Sequence, residues 1–279
     1  MKTNLRTLGP KEAQLVLSLR EEGQEIVTAS EIIERLGSET SGRTVIQGLL
    51  HKGWLTRLIA GRYLLLPPEH GPEPLGENNV LALASAVIEP SYVGWWSAAS
   101  FHGFTTQRPM TVTVATTRQV APRILEGGEI RFVMVTARKF FGFRRYALHE
   151  RSVTLSEPAK TVIDCVDRPA LCGGSGELAR ILFGASTEVD AADVITAALA
   201  MKSGALLQRL GYLMDLVDWP ATAEQRDRLR RNIRPSARTT LGRKDREAGD
   251  IGYVPDWGLF VHMSQSELLA DIPKRIRPH

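Results

Sequence analysis

Residues 28–66 read TASEIIERLGSETSGRTVIQGLLHKGWLTRLIAGRYLLL, a pattern that predicts two helices followed by a two-stranded hairpin. The segment opens with a capping-box pattern at residues 28–31, where a hydroxyl precedes a carboxylate by three positions. Gly37 can end the first helix because glycine adopts positive φ without steric cost. We expect the second helix to begin at Ser41 or Gly42.

The flanking residues extend this pattern into a complete unit. Pro10 can open an earlier helix at a position where its missing N–H costs nothing. Two apolar, β-favouring runs, 54–59 and 62–66, are joined by Ala60-Gly61, which predicts a hairpin. Three helices followed by a hairpin are typical of a winged helix-turn-helix. We therefore predict such a domain over residues 1–68.

Charge is sorted along the same unit. Residues 1–39 contain seven acids, whereas residues 40–66 contain none but include four arginines or lysines. A basic helix and wing would suit the phosphates of duplex DNA. The alternative is a three-helix module for protein contact, with its charges merely solvated, and the sequence leaves that alternative open.

The DNA-binding interpretation assigns roles to individual side chains. The first turns of the third helix would present Arg43, Thr44 and Gln47 to base edges, where side chains read sequence. Cations near the wing would hold phosphates and set register. The predicted contact residues of this unit are Ser41, Arg43, Thr44, Gln47, His51, Lys52, Arg57 and Arg62.

The rest of the chain has a different texture. Residues 69–78 form the predicted linker, within a stretch rich in proline and glutamate. From residue 79 to residue 279, several strand patterns are followed by a run of helical patterns, which indicates an α+β domain. We expect the whole chain to be α+β, with the winged helix-turn-helix followed by a larger domain that combines a mostly antiparallel sheet and C-terminal helices.

Charge, cysteine content and apolar runs bear on the compartment in which we expect the protein. The 279 residues include 35 bases and 31 acids, so the net charge of +4 does not identify a partner. Cys165 and Cys172 fit neither a disulfide framework nor a usual zinc spacing. No apolar run follows the N-terminal residues or is long enough to span a bilayer. We therefore expect a cytoplasmic protein.

Three segments of the second domain share a resemblance. They read YVGWWSAASFHGFTTQ at 92–107, KFFG at 139–142, and EPAKTVIDCVDRP at 157–169 followed by Gly173-Gly174. Together and in this order they resemble the AbiEi family of antitoxins and transcriptional regulators of type IV toxin–antitoxin systems. The wing entry at residues 49–57 and its return at 61–64 also resemble that family's N-terminal winged helix.

The resemblance implies a bacterial autorepressor that binds inverted repeats of duplex operator DNA upstream of its own operon. It also implies a C-terminal domain that counters a cognate toxin of nucleotidyltransferase type, by direct contact or otherwise, and that adds basic surface for DNA. Arg144 and Arg145, in a basic run with interleaved phenylalanines, are our candidates for that surface. Residues 226–246, with nine bases against two acids, offer a second basic segment that contact with the toxin, or plain solvation, would also explain.

Catalysis finds little support in the sequence. Glu157, Lys160, Asp164 and Asp167 share one helical face, which suits acid–base chemistry but is explained more simply by an ion network. There is no P-loop and no Asp-x-Asp pair for nucleotidyl transfer. We expect no catalytic residue, no cofactor and no metal. Two alternatives remain open, an effector-gated regulator and a C-terminal domain that chemically modifies the toxin.

Overall fold

The computed structural model describes residues 7–66, 80–125, 128–148, 151–270 and 272, so the predicted linker at 69–78 lies outside the described residues. The N-terminal unit contains three helices and three strands. These are α1 (Pro10–Glu21), β1 (Ile26–Thr28), α2 (Ala29–Leu36), α3 (Glu39–His51), β2 (Leu55–Ile59) and β3 (Arg62–Leu65). The strands form an antiparallel sheet in the order β1-β3-β2.

Local signals account for the helices of this unit. The Thr28 hydroxyl accepts a hydrogen bond from the Glu31 N–H while the Glu31 carboxylate accepts one from the Thr28 N–H, as the capping box predicts. Gly37 ends α2 with φ of 67°. The predicted start of α3 is wrong, because Ser38 caps that helix and its first residue is Glu39. Strand β1 was not foreseen, since three residues are too short to establish a strand period.

The larger domain contains eight helices and nine strands within the described residues. The helices are α4 (Val80–Ala84), α5 (Trp95–Phe101), α6 (Pro158–Asp167), α7 (Ser175–Ala185), α8 (Ala191–Ala200), α9 (Gly204–Leu216), α10 (Ala223–Arg231) and α11 (Gln265–Leu269). The strands are β4 (Ser91–Val93), β5 (Thr111–Thr116), β6 (Arg123–Leu125), β7 (Gly128–Met134), β8 (Phe143–Leu148), β9 (Arg151–Ser156), β10 (Thr239–Gly242), β11 (Gly252–Val254) and β12 (Leu259–His262).

The strands of this domain form two sheets of mixed direction. The six-stranded sheet has the order β6-β7-β5-β4-β9-β8. Its β5–β7 and β4–β9 pairs are parallel and its other three pairs are antiparallel, so the sheet is mixed, with the predicted majority of antiparallel pairs. The parallel pairs join strands that are separated along the chain, which strand patterns alone do not reveal. The smaller sheet, β10-β12-β11, also has one pair of each kind.

Three hydrophobic clusters hold these layers together. One lies under α1–α3, and another fills the space between α5–α10 and one face of the six-stranded sheet. The third joins the two units, because Leu58, Leu64 and Leu66 pack with Val80 and Leu83 of α4 and with the other face of that sheet. The small N-terminal sheet is therefore covered on both sides. Every helix in the described ranges is too short or too polar to cross a membrane.

Candidate nucleic-acid interface

The outer face of α3 presents the side chains that the sequence predicted for base contact. Arg43, Thr44, Gln47 and His51 are exposed, while the helix buries the apolar side chains on its other face. Ser41 is half-buried, and its hydroxyl accepts a hydrogen bond of 3.1 Å from the Lys11 ammonium. Lys11 was not predicted at this surface, because its proximity follows from the packing of α1 against α3.

An acid also lies on this face. The Glu39 carboxylate contacts the Arg43 guanidinium at 2.6 Å, one turn along α3, with both side chains mostly exposed. Since an exposed pair contributes at most about 1 kcal/mol, Arg43 can exchange Glu39 for a phosphate or base at small cost. The contact follows from the earlier helix start, which Ser38 as a capping residue could have indicated.

Lys52 is held inside the unit. Its ammonium contacts the Glu12 carboxylate of α1 at 2.6 Å, and that carboxylate also accepts a hydrogen bond from the Gly9 N–H. Burial raises the pKa of Glu12, but these two hydrogen bonds together with the charge of Lys52 outweigh it, so the net pKa is lowered. Gly48 makes room, because a Cβ there would lie 2.3 Å from Glu12 Oε1. Lys52 therefore ties α1 to α3.

The two wing arginines have different surroundings. Arg57 is exposed, with its guanidinium 5.8 Å from the centre of the Tyr63 ring. Arg62 instead donates a hydrogen bond of 2.7 Å to the Ala86 carbonyl and lies 3.7 Å from the Glu89 carboxylate, both in the larger domain. Arg62 thus links the hairpin to that domain, and its guanidinium is engaged there.

Arg144 and Arg145 lie on β8, at the edge of the six-stranded sheet, and both are exposed. The Arg144 guanidinium stacks 4.4 Å from the centre of the Tyr146 ring and is 3.9 Å from Glu157. The interleaved phenylalanines do not form a stacking surface, because Phe140 and Phe143 pack against the buried Tyr92 ring. Both arginines are therefore exposed, and as consecutive residues of a strand they point to opposite faces of the sheet.

The basic segment at residues 226–246 is partly committed to internal contacts. Arg226 pairs with Asp215, Arg230 stacks on the buried Trp257 ring, and Arg243 contacts Glu267 and Asp250. Arg228, Arg231 and Arg234 are exposed. The charge count alone could not separate these roles, since the partners lie far away in sequence.

The three motifs of the second domain meet at one buried lysine. Lys160 donates hydrogen bonds to the Tyr92 hydroxyl at 2.9 Å and to the Asp164 carboxylate, and Tyr92 donates to that carboxylate at 3.0 Å. Gly142, at φ of 66°, lies against the lysine chain, where a Cβ would approach it to 3.1 Å. Phe141 lies over the ammonium at 5.1 Å. The three motifs, at residues 92–107, 139–142 and 157–169, thus contribute side chains to one buried cluster around Lys160.

The surroundings of this cluster define what it can do. Lys160 and Asp164 are only 2% and 3% exposed. Burial lowers the pKa of Lys160 and raises the pKa of Asp164, while their mutual contact opposes both effects. Asp167 pairs separately with Lys139 at 2.6 Å, and Glu157 is exposed, so the four residues do not form one network. The enclosed Lys160–Asp164 pair therefore fixes α6 to β4 through the Tyr92 hydroxyl.

His102, the most enclosed histidine near the motifs, also has a packing role. It follows α5, and its Nε2 lies 2.8 Å from the Ser156 carbonyl, to which it donates a hydrogen bond. Its ring packs against Phe104 and Tyr146. Burial lowers its pKa, which favours the neutral ring. His102 is thus a hydrogen-bonded residue at the end of a helix.

Comparison with known proteins identifies the second domain. Residues 92–216 match the family model of the AbiEi antitoxin C-terminal domain, which confirms the resemblance found in the motifs. This part of the chain is similar to the C-terminal domain of AbiEi antitoxins, and the match supports an antitoxin role.

The overall fold also has a relative among solved structures. The crystal structure of the RV2827C protein from Mycobacterium tuberculosis is similar, with a TM-score of 0.63 and 17% identity over 95% of each chain. At that identity, the likeness concerns the fold alone. No curated protein matches the sequence.

Proposed function

We propose that this protein is an antitoxin that also represses transcription of its own operon through an N-terminal winged helix-turn-helix. In this proposal both functions depend on binding in the cytoplasm, and neither requires catalysis. The match of residues 92–216 to an antitoxin domain supports the first function. The exposed polar face of α3 supports the second.

The order of elements supports the DNA-binding half. Helix, strand, helix, helix and a two-stranded hairpin follow one another as in a winged helix-turn-helix. Gly42 lies at the contact of α2 and α3, where a Cβ would meet the Ile33 side chain at 2.6 Å. This close approach packs α3 tightly against α2 and supports our assignment of α3 as the helix that would enter the major groove.

The internal contacts refine the set of proposed DNA contacts. Arg43, Thr44 and Gln47 would read base edges, and His51 and Ser41 would lie beside them. Arg57 and Lys11 would hold phosphates, with Arg144 and Arg145 as additional cations. Lys52 and Arg62 would act through the structure, since each is engaged within the chain. Inverted repeats would accommodate two copies of the protein.

The partner of the antitoxin half would be a toxin of nucleotidyltransferase type. We propose protection by direct contact, because the ionisable cluster at the centre of the domain is enclosed. The rival mechanism is chemical modification of the toxin. The mass of toxin co-expressed with this protein distinguishes them, since an unchanged mass together with a stable complex supports contact, whereas an added group refutes it.

A double variant tests the regulatory half. We expect Arg43→Ala with Gln47→Ala to weaken operator binding by about 100-fold or more, since each base contact is worth about 1–3 kcal/mol. The matched control is Arg131→Ala, which removes an exposed arginine of β7. DNase footprinting upstream of the operon measures the effect. An unchanged footprint in the double variant would refute the placement of α3 in the groove.

The same variants separate the two functions in cells. Growth in the presence of the toxin encoded by the neighbouring gene reports protection, and a promoter fusion reports repression. We expect the double variant to lose repression and to keep protection. Loss of both functions in a folded variant would contradict the division of labour proposed here.

A further inference from the structure

The small C-terminal sheet exposes two aromatic rings side by side. Tyr253 of β11 and Phe260 of β12 are direct neighbours in the antiparallel register, and their ring centres are 4.9 Å apart. They are 42% and 38% exposed, whereas Leu259 and Val261 on the other face of the sheet are fully buried. The His262 ring lies 6.4 Å from Phe260 and extends this surface.

Cations border the aromatic surface on one side. The Arg238 guanidinium lies 5.4 Å from the centre of the Tyr253 ring and is held by hydrogen bonds to the carbonyls of Pro235 and Ala237. A cavity of about 260 Å³ opens beside Tyr253, lined in part by Arg230, Arg234 and Arg238. One carboxylate, Asp256, also lines it, so the local charge is positive.

These two features together select one kind of ligand. The two exposed rings, whose planes are inclined by 41° to each other, offer stacking to the faces of nucleobases, and the guanidinium groups offer charge to the phosphates between them. In a duplex the base faces are covered by their neighbours, so such a surface requires unpaired bases.

We propose that the face of β10-β12-β11 with Tyr253, Phe260 and Arg238, here called the aromatic platform, binds single-stranded nucleic acid. Two successive bases stack on the tyrosine and phenylalanine rings. Arg234 and Arg238 contact the intervening phosphate. This site is separate from the duplex-binding face proposed for α3.

The test uses the full chain and fluorescent 12-nucleotide oligomers of uridine and of thymidine. Tyr253→Leu with Phe260→Leu removes the rings but keeps apolar side chains on the sheet. We expect this variant to bind the preferred oligomer about tenfold more weakly or worse, since stacking on each ring contributes strongly to affinity. The control is Ile124→Ala, which removes an exposed apolar side chain on the larger sheet.

A second variant keeps the proposal testable if the ring variant does not fold. Arg234→Gln leaves the rings in place, and we expect weaker binding with a shallower dependence on salt, because one phosphate contact is lost. Comparison of the two oligomers decides between RNA and DNA as the source of the ligand. Unchanged thermal midpoints establish that both variants fold.

Several results would overturn the proposal. One is wild-type protein that binds neither oligomer at low salt, and another is a ring variant with wild-type affinity. An equal loss of duplex binding in the ring variant would assign the surface to the operator interface instead. A change in oligomeric state without a change in oligomer binding would make it a contact between copies of this chain.

Discussion

At the scale of single residues, Glu39 shows how one position changes the character of a surface. It is the last acid before an acid-free stretch, and the helix start at this residue places it one turn before Arg43 on the same face. The Arg43 guanidinium contacts the Glu39 carboxylate at 2.6 Å, and both side chains are mostly exposed. Glu39 also places a negative charge where a phosphate would approach.

Replacement of this acid has a directional consequence. We expect Glu39→Gln to tighten duplex binding by about two- to fivefold at low salt, because Arg43 no longer has to exchange partners. The gain should shrink as salt is raised. Fluorescence anisotropy with operator DNA measures it, with Glu21→Gln on α1 as the control. Weaker, less selective binding would instead indicate that Glu39 itself accepts a hydrogen bond from a cytosine.

The buried lysine offers a second residue-scale prediction. We expect Lys160→Met to lower the free energy of unfolding by about 3–5 kcal/mol, because Asp164 is left without a counterion. Lys160→Met with Asp164→Leu should recover much of that loss. Urea denaturation followed by fluorescence measures both. Equal effects of Lys160→Met and of Lys139→Met, which breaks a more exposed pair, would argue against this explanation.

At the scale of elements, the C-terminal helix α11 is held by charge as well as by capping. The Glu267 carboxylate accepts hydrogen bonds from the Ser264 N–H and hydroxyl and from Arg243. The hydrogen bond from Arg243 is the largest effect that lowers the pKa of Glu267, to about 2. Arg243 also contacts Asp250 in the segment before β11. Through its contacts with both Glu267 and Asp250, Arg243 links α11 to the small C-terminal sheet.

The lowered pKa predicts a pH dependence. A carboxylate with a depressed folded pKa contributes stability above its ordinary pKa of 4.5, and the contribution is lost as the pH falls towards 2. Glu267→Gln preserves the capping pattern but removes the charge. We therefore expect the stability difference between wild type and this variant to be present at pH 6 and smaller at pH 3. Urea midpoints at both pH values measure it, with exposed Glu224→Gln as the control; a constant difference would contradict the prediction.

At the scale of the whole molecule, the N-terminal sheet belongs to two cores. Tyr63 and Leu65 of β3 face α1–α3, while Leu58 and Leu64 face the larger domain. Arg62 adds a polar link to the same boundary. The predicted domain of residues 1–68 therefore shares a packed surface with the rest of the chain, which bears on how fragments behave.

One substitution should have opposite effects in the whole chain and in a fragment. In the full chain we expect Leu64→Gln to lower the free energy of unfolding by about 2–5 kcal/mol, because it places an amide in a packed interior. In a fragment of residues 1–68 the same change should reduce association and dye binding, since the apolar face is uncovered there. Denaturation and light scattering measure these effects. The exposed Leu17→Gln is the control, and a fragment that stays monomeric without substitution would contradict the prediction.

Local chemistry allowed several parts of this structure to be predicted from the sequence. The capping box at Thr28, the left-handed Gly37 and the outward face of α3 all depend on near neighbours in the chain. The motifs also predicted the family match, because their order along the chain is itself a linear property. Such features require no knowledge of distant partners.

Tertiary structure alone decided which charges are engaged and which strands lie side by side. Lys52 pairs with Glu12, 40 positions earlier in the chain, and Arg62 donates a hydrogen bond to the carbonyl of Ala86, 24 positions later. The parallel pairs of the six-stranded sheet likewise join strands that are not consecutive in the chain. An ion pair forms wherever packing brings two charges within contact distance, whatever their separation in sequence. The composition of residues 40–66 therefore predicted a basic surface. Only the folded chain determined which arginines and lysines remain exposed on that surface.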